Sequence, residues 1–217
     1  MKPNNNKQHS KSLFLNFFMK YRYLIGGFTF LCIQMFIYIV NIGAYDFSFY
    51  YWYCNHIPIL FSIAFFLKQY QLVKGLIHVG LIPQIMWVLD LTLYWLFSFQ
   101  LFGFTQYFFE LESTLQIIST LFIHIFSSSL AFLFTLNINP NKKSLYFAFG
   151  YVSILLLVTL TFTQVEQNIN CVHEICGLEE LTPPLYTWLF PFLTFIIMIL
   201  PSYYLQREIY KFLQHQL

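Results

Sequence analysis

The sequence predicts an all-α polytopic membrane protein: a bundle of six transmembrane helices with both termini cytoplasmic and a short interfacial N-terminal helix. Three observations predict it. The first is composition, because a chain of 217 residues that is 58% hydrophobic and 9% charged, with a mean hydropathy of +0.61, cannot cover a water-soluble globule with charge. The second is a set of apolar runs, at about 23-40, 49-67, 75-97, 114-136, 144-164 and 184-205. Each approaches the ~20 helical residues that cross ~30 Å of hydrocarbon.

The third is charge placement. With a cytoplasmic amino terminus, six crossings put all 11 Lys and Arg on one side: Lys2, Lys7, Lys11, Lys20 and Arg22, then Lys68 and Lys74, then Lys142 and Lys143, then Arg207 and Lys211. Asp46, Glu110, Glu112, Glu166, Glu174, Glu179 and Glu180 fall in outer loops, Glu208 lies inside, and Asp90 alone lies within a span. Lys and Arg in short loops set orientation. A seventh crossing at 98-113 would strand Lys142 and Lys143 outside.

Taken in order, residues 1-22 are expected to form a cytoplasmic tail and an interfacial helix. "SLFLNFFMKYRY" places Leu13, Phe14, Phe17, Phe18 and Tyr21 on one face, with Lys11, Lys20 and Arg22 near its ends. The first apolar run lacks a small-residue cleavage site and reads as a retained anchor, with Cys32 as core. The transmembrane domain covers 23-205, and a second cytoplasmic tail 206-217. Span two opens on "WYCNHIP", where Pro58 removes the donor that would serve the Cys54 carbonyl. Span three carries Gly80, Pro83, Trp87, Asp90 and Tyr94 on one face with Gln84 beside it, and an intramembrane carboxylate needs a partner or a wet cavity. The aromatic segment "FQLFGFTQYFFELES" at 98-113 reads as an interfacial helix or a lid over the bundle, because irregular backbone is not tolerated in lipid.

Span four has a small, polar stripe of Thr120, His124, Ser127, Ser128 and Ala131 that admits a neighbouring helix closely. In the last outer loop, Cys171 and Cys176 are candidates for a disulfide in an oxidising exterior. Their spacing matches no zinc pattern, so no metal is expected. Thr182 and Pro183 read as the N-cap and first residue of span six. No phosphate loop, nucleophile elbow or basic nucleic-acid patch is present, so neither a cofactor nor a nucleic-acid partner is expected; membrane lipids are.

Counted at 1.5 Å per residue, Cys54, Asp90 and His124 lie about 8, 10 and 15 Å below the outer surface. A shared layer makes them a candidate catalytic triad of thiol, base and orienting acid. Asn55, Gln84, Trp87 and Tyr107 are the candidate substrate-binding or oxyanion groups.

"WYCN", "IPQIMWVLDL", "FGFTQYFFE", "STLFIH" and "NINCV", in this order, resemble a group of bacterial multi-pass membrane proteins of unknown function. These are distantly similar to the transmembrane protein 164 family, whose characterised member is a cysteine-dependent phospholipid acyltransferase. The resemblance spans roughly 50-205. It implies Cys54 as nucleophile and His124 as its base, supported by Asn55, Gln84 and Asp90; His56 stands where an apolar residue is expected. The function expected is a lipid acyltransferase or acyl hydrolase. The alternatives are a carrier or small-ligand binder whose outward cavity contains Asp90 and His124, and a structural or accessory subunit.

Overall fold

The computed structural model describes residues 5-45, 47-176 and 179-216, with side chains for 20-45, 48-176 and 180-215. The expected amphipathic face of Leu13, Phe14, Phe17 and Phe18, and the outer-loop residue Asp46, lie outside what is described. Every described element is helical. The order is α1 Asn5–Asn41, α2 Tyr53–Phe66, α3 Tyr70–Phe97, α4 Thr114–Phe134, α5 Lys142–Phe162 and α6 Tyr186–His215, with short 3-10 turns in the α1–α2, α3–α4 and α5–α6 connections.

Among the described residues, five helices are long and apolar enough to cross a membrane: α3, α4, α5, α6 and the Lys20–Asn41 part of α1. The sixth apolar element, α2, is shorter than the expected 49-67 because its first residues form the separate 3-10 turn Phe47–Tyr51. Its 14 residues extend only ~21 Å at 1.5 Å each. No break separates an interfacial helix from the first crossing, since α1 is continuous from Asn5. Likewise no break marks a tail after 205: the final helical segment runs Leu200–Gln216.

Helix α3 is the centre. Of its most apolar stretch 56% is buried, against 28 to 33% in the other four long helices. It packs on α2, α4, α5 and α6, while α1 lies along α2 and α4. Small residues set these approaches. A Cβ on Gly75 would come within 2.7 Å of the Ser144 carbonyl on α5, and one on Gly80 within 2.5 Å of the Tyr53 hydroxyl. The Tyr53 hydroxyl in turn donates to the Leu76 carbonyl at 2.6 Å.

Three sequence expectations shift. Lys74 does not sit in a loop: α3 begins at Tyr70, and Lys74 is fully buried with its Nζ 4.8 Å over the Phe132 ring. Cys32 is exposed rather than core. Helix α6 starts at Tyr186, because Thr182 is used in the loop, where its hydroxyl accepts the Ile175 N–H at 2.9 Å.

The bundle has two polar ends. At one, Arg22 bonds Asn137 and stacks on Tyr70, Lys68 covers Tyr23 at 4.1 Å, and Gln71 joins the 139-141 loop. At the other, Asn170 is bonded to the chain on both sides of Trp52, and Tyr186 donates to the Cys171 carbonyl.

The break in α2 is closed by a side-chain amide. After Pro58, Gln34 of α1 enters the opened turn of α2: its Nε2 donates to the Asn55 carbonyl at 3.1 Å and its Oε1 accepts the Ile59 N–H at 3.2 Å. Gln34→Leu keeps the bulk and removes both bonds. The expected loss is about 1–3 kcal/mol, seen as a lower thermal midpoint in lipid nanodiscs; a variant as stable as the parent would show that α2 closes without this amide.

Candidate functional site

Helix α4 is not uniform. Thr114–Leu121 leads into a π-helical turn, Phe122–Phe126, before Ser127–Phe134. A π turn shifts the hydrogen-bond ladder by one residue and leaves groups to be satisfied from outside. Gln84 of α3 satisfies them: it donates to the Ile123 carbonyl at 3.4 Å and accepts the Ser128 N–H at 3.3 Å. His124 lies just inside these anchors, next to Ile123. Gln84, expected to assist a reaction, is instead the clamp that fixes the turn bearing the imidazole.

His124 stacks face to face on Trp87, with ring centroids 4.4 Å apart and planes 9° from parallel. Its Nε2 meets the Tyr107 hydroxyl at 2.9 Å, and the Trp87 indole N–H donates to that same hydroxyl at 3.2 Å. Indole can only donate, so the phenol oxygen is the acceptor there and the phenol proton is left for His124. Phe108 packs edge-on against Trp87 from above.

Tyr107 comes from the 98-113 segment, which folds onto α3 and α4 through a 3-10 turn, Gln106–Glu110. Asp90 holds it there. One carboxylate oxygen accepts the N–H groups of Leu101 and Phe102 at 2.8 and 2.9 Å, and the other accepts the Thr105 N–H and hydroxyl, both at 3.1 Å. Asp90 and Thr105 are fully buried. This corrects the expected role of Asp90: it orients a loop, not the imidazole.

Cys54 opens α2. Its Sγ lies 3.6 Å from Asn55 Oδ1, and no hydrogen bond joins it to His124. The direct thiol–imidazole bond expected of the pair is therefore not formed here. Cys54 does lie within electrostatic range of Tyr107: burial first, then the charge that Cys54 would bear, push the Tyr107 phenol above its usual range. Asn55 is also committed, its amide donating to the Phe49 carbonyl at 2.8 Å. It holds the entry to α2, which removes it as a ready oxyanion donor.

The N-terminal edge of α2 is fixed from the loop between α5 and α6. Asn170 accepts the Tyr53 N–H at 2.7 Å and donates to the Tyr51 carbonyl at 2.8 Å. Asn168 and Asn170 adopt left-handed backbone, φ 39° and 58°, which asparagine tolerates better than most residues. Cys171 and Cys176 are joined as the expected disulfide, closing the loop that carries Asn170. Among the described residues no group of three His, Cys, Asp or Glu is placed to hold a metal ion.

The structure thus gathers Trp87, Tyr107 and His124, with Cys54 nearby, and assigns Asn55, Gln84 and Asp90 to the scaffold around them. Sequence reasoning missed Gln34 and Asn170. The signal for Gln34 was a lone amide in an otherwise apolar run facing a proline-broken neighbour. It also undervalued His56, whose Nδ1 meets the Tyr50 carbonyl at 2.9 Å and whose Nε2 bonds the Tyr151 hydroxyl.

No family model, curated protein or solved structure matches this chain.

Asp90→Ala should release the lid. Hydrogen bonds to a charged acceptor contribute about 1.5–3 kcal/mol, so the amides of Leu101, Phe102 and Thr105 are expected to exchange with solvent deuterium at least about tenfold faster. Unchanged protection would show that the aromatic packing alone retains the segment.

Proposed function

We propose that this is a thiol-dependent lipid acyltransferase or acyl hydrolase that works within a cell membrane, crossing it six times with both termini in the cytoplasm. The crossing number rests on the two bundle ends. Arg22, Lys68 and the 135-141 loop meet at one, and Tyr51 and Asn170 at the other, so the short α2 returns the chain between them. The one-sided distribution of Lys and Arg supplies the orientation.

The observation that supports the chemistry best is the Trp87–Tyr107–His124 unit, with Cys54 within electrostatic range of its phenol. In the proposed step the thiol proton passes through the Tyr107 hydroxyl to His124 Nε2. As that proton leaves, the sulfur adds to the carbonyl carbon of a lipid ester, the ester C–O bond breaks, and the departing alkoxide takes the proton from His124. Water or a lyso-lipid hydroxyl next attacks the thioester and gives up its proton by the same route; the C–S bond breaks and the thiol re-forms. The resemblance of the short sequence motifs to the transmembrane protein 164 family implies the same assignment. A carrier that couples protons through Asp90 is less well supported, because both carboxylate oxygens are occupied by the lid.

Labelling should be done in a Cys32→Ala background, since that second free thiol is exposed. A lipid acyl-phosphonate probe is expected to label Cys54, and Cys54→Ala to abolish it. Tyr107→Phe should slow labelling by ~10²-fold, the lower end of a general acid–base contribution. Equal labelling of parent and Cys54→Ala proteins would leave the polar cluster with a structural role.

A further inference from the structure

The first turn of α2 has no cap of its own. Trp52 stands at the N-cap, and an indole carries no acceptor, so its side chain cannot serve the N–H groups that open the helix. The partner comes from another part of the chain. Asn170 accepts the Tyr53 N–H at 2.7 Å and donates to the Tyr51 carbonyl at 2.8 Å, so one amide spans Trp52 and acts as a remote cap. Cys54 follows Tyr53 directly, and its placement depends on that bond.

The loop that delivers Asn170 has an uncommon backbone. Asn168, Asn170 and Cys171 are left-handed, with φ of 39°, 58° and 57°. Asparagine adopts this conformation readily, whereas cysteine has no such tendency. Cys171 is tied to Cys176, five residues on, and its carbonyl accepts from the Tyr186 hydroxyl at 2.9 Å. Asn168 organises the far side of the ring, accepting the N–H groups of His173 and Glu174 and donating to the Glu174 carbonyl. Ile169 and Val172 are buried in the core. The disulfide is therefore the covalent restraint on the one residue of this run whose side chain does not favour its backbone, and that residue adjoins Asn170. Both cysteines are half-buried and Glu174 between them is exposed, so the ring lies at the surface.

We propose that the Cys171–Cys176 bond is a redox clasp that sets the placement of Cys54 through Asn170, with a dithiol as its reductant. A thiolate of the dithiol attacks one sulfur, the protein S–S bond breaks and a mixed disulfide forms; the second thiol of the reductant then displaces the loop cysteine. The dithiol becomes its own disulfide, and its two electrons and two protons leave Cys171 and Cys176 as thiols. Cys171 is then free to return to right-handed backbone, Asn170 turns away, and the Tyr53 N–H and Tyr51 carbonyl lose the Asn170 amide. The first turn of α2 frays. Asn170 is thus a positioning residue, acting on Cys54 through the helix start. The consequence for catalysis rests on the acyl-transfer reading; the clasp does not.

The test uses the full chain in nanodiscs, in the Cys32→Ala background, before and after treatment with dithiothreitol that is removed before each readout. Reduction is expected to speed deuterium exchange at the Tyr53 amide at least tenfold. Alkylation of Cys54 by N-ethylmaleimide, read on its own peptide, should rise at least fivefold, while amides in the centre of α3 keep their protection. The Cys171→Ser/Cys176→Ser protein should match the reduced parent. Asn170→Ala should begin at the fast rates and show no further response to dithiothreitol, which a disulfide that merely braces the loop would not produce. Rates unchanged by reduction, an equal response of the parent and Asn170→Ala proteins, or loss of α3 protection along with Tyr53 would each overturn the clasp. If both rates respond as expected while Cys54 takes no acyl-phosphonate label in either state, the enzymatic reading alone fails; a labelled Cys54 whose rates ignore reduction removes the clasp alone.

Discussion

Hydrocarbon offers a peptide group nothing to bond with, and that constraint governs this molecule more than any single contact. At four places where backbone groups lack a regular partner, one side-chain amide supplies both bonds. Gln34 stands between Asn55 O and Ile59 N, Gln84 between Ile123 O and Ser128 N, and Asn170 between Tyr51 O and Tyr53 N. Gln71 does the same between Asn139 O and Asn141 N. The chemistry explains the choice of residue. A primary amide offers one acceptor and donors on adjacent atoms, so it can replace the missing partner of a carbonyl and of an N–H together. A carboxylate supplies no donor when ionised, and a lone hydroxyl has less reach between two groups on a neighbouring helix.

These closures place the site. The π turn that presents His124 and the broken turn just beyond Cys54 are each held by an amide from an adjacent helix, so the two groups are positioned by tertiary bonds and not by regular helix geometry. Asp90 extends the same logic to the lid. Buried carboxylates are costly in a bilayer unless fully solvated by the protein, and the donors from Leu101, Phe102 and Thr105 do that while pinning Tyr107 above His124. Satisfying one polar group fixes the location of the next.

The all-helical, multi-span character was legible from the sequence because hydropathy is a property of whole segments. The disulfide was legible too, from two cysteines in one outer loop. The division of labour inside the site was not. Depth along a helix told that Cys54, Asp90 and His124 lie at similar heights, but not which way each points, and a loop folding back over α3 took Asp90 away from His124. The length of α2 also escaped, since "FSFYY" is as apolar as a helix interior yet forms a 3-10 turn. Lys74 shows the same limit, because a cation near a span boundary reads as loop whether it faces water or Phe132.

Two tyrosines now stand in equivalent relations to two imidazoles. In each pair the phenol proton is directed at a ring Nε2: at His124 because Trp87 supplies the tyrosine's other bond, and at His56 because the Tyr50 carbonyl claims the Nδ1 proton. Both rings are thereby set as neutral acceptors. A neutral imidazole bonded through a phenol can take up a proton released at the phenol's far side without any charge first being carried into the low-dielectric interior. That matters for a thiol in such surroundings, because ionising it alone would leave an isolated charge without solvation. Proton removal coupled to attack on a carbonyl avoids the isolated thiolate, and a phenol within electrostatic range of Cys54, backed by an imidazole held on Trp87, is the arrangement through which that coupling can run.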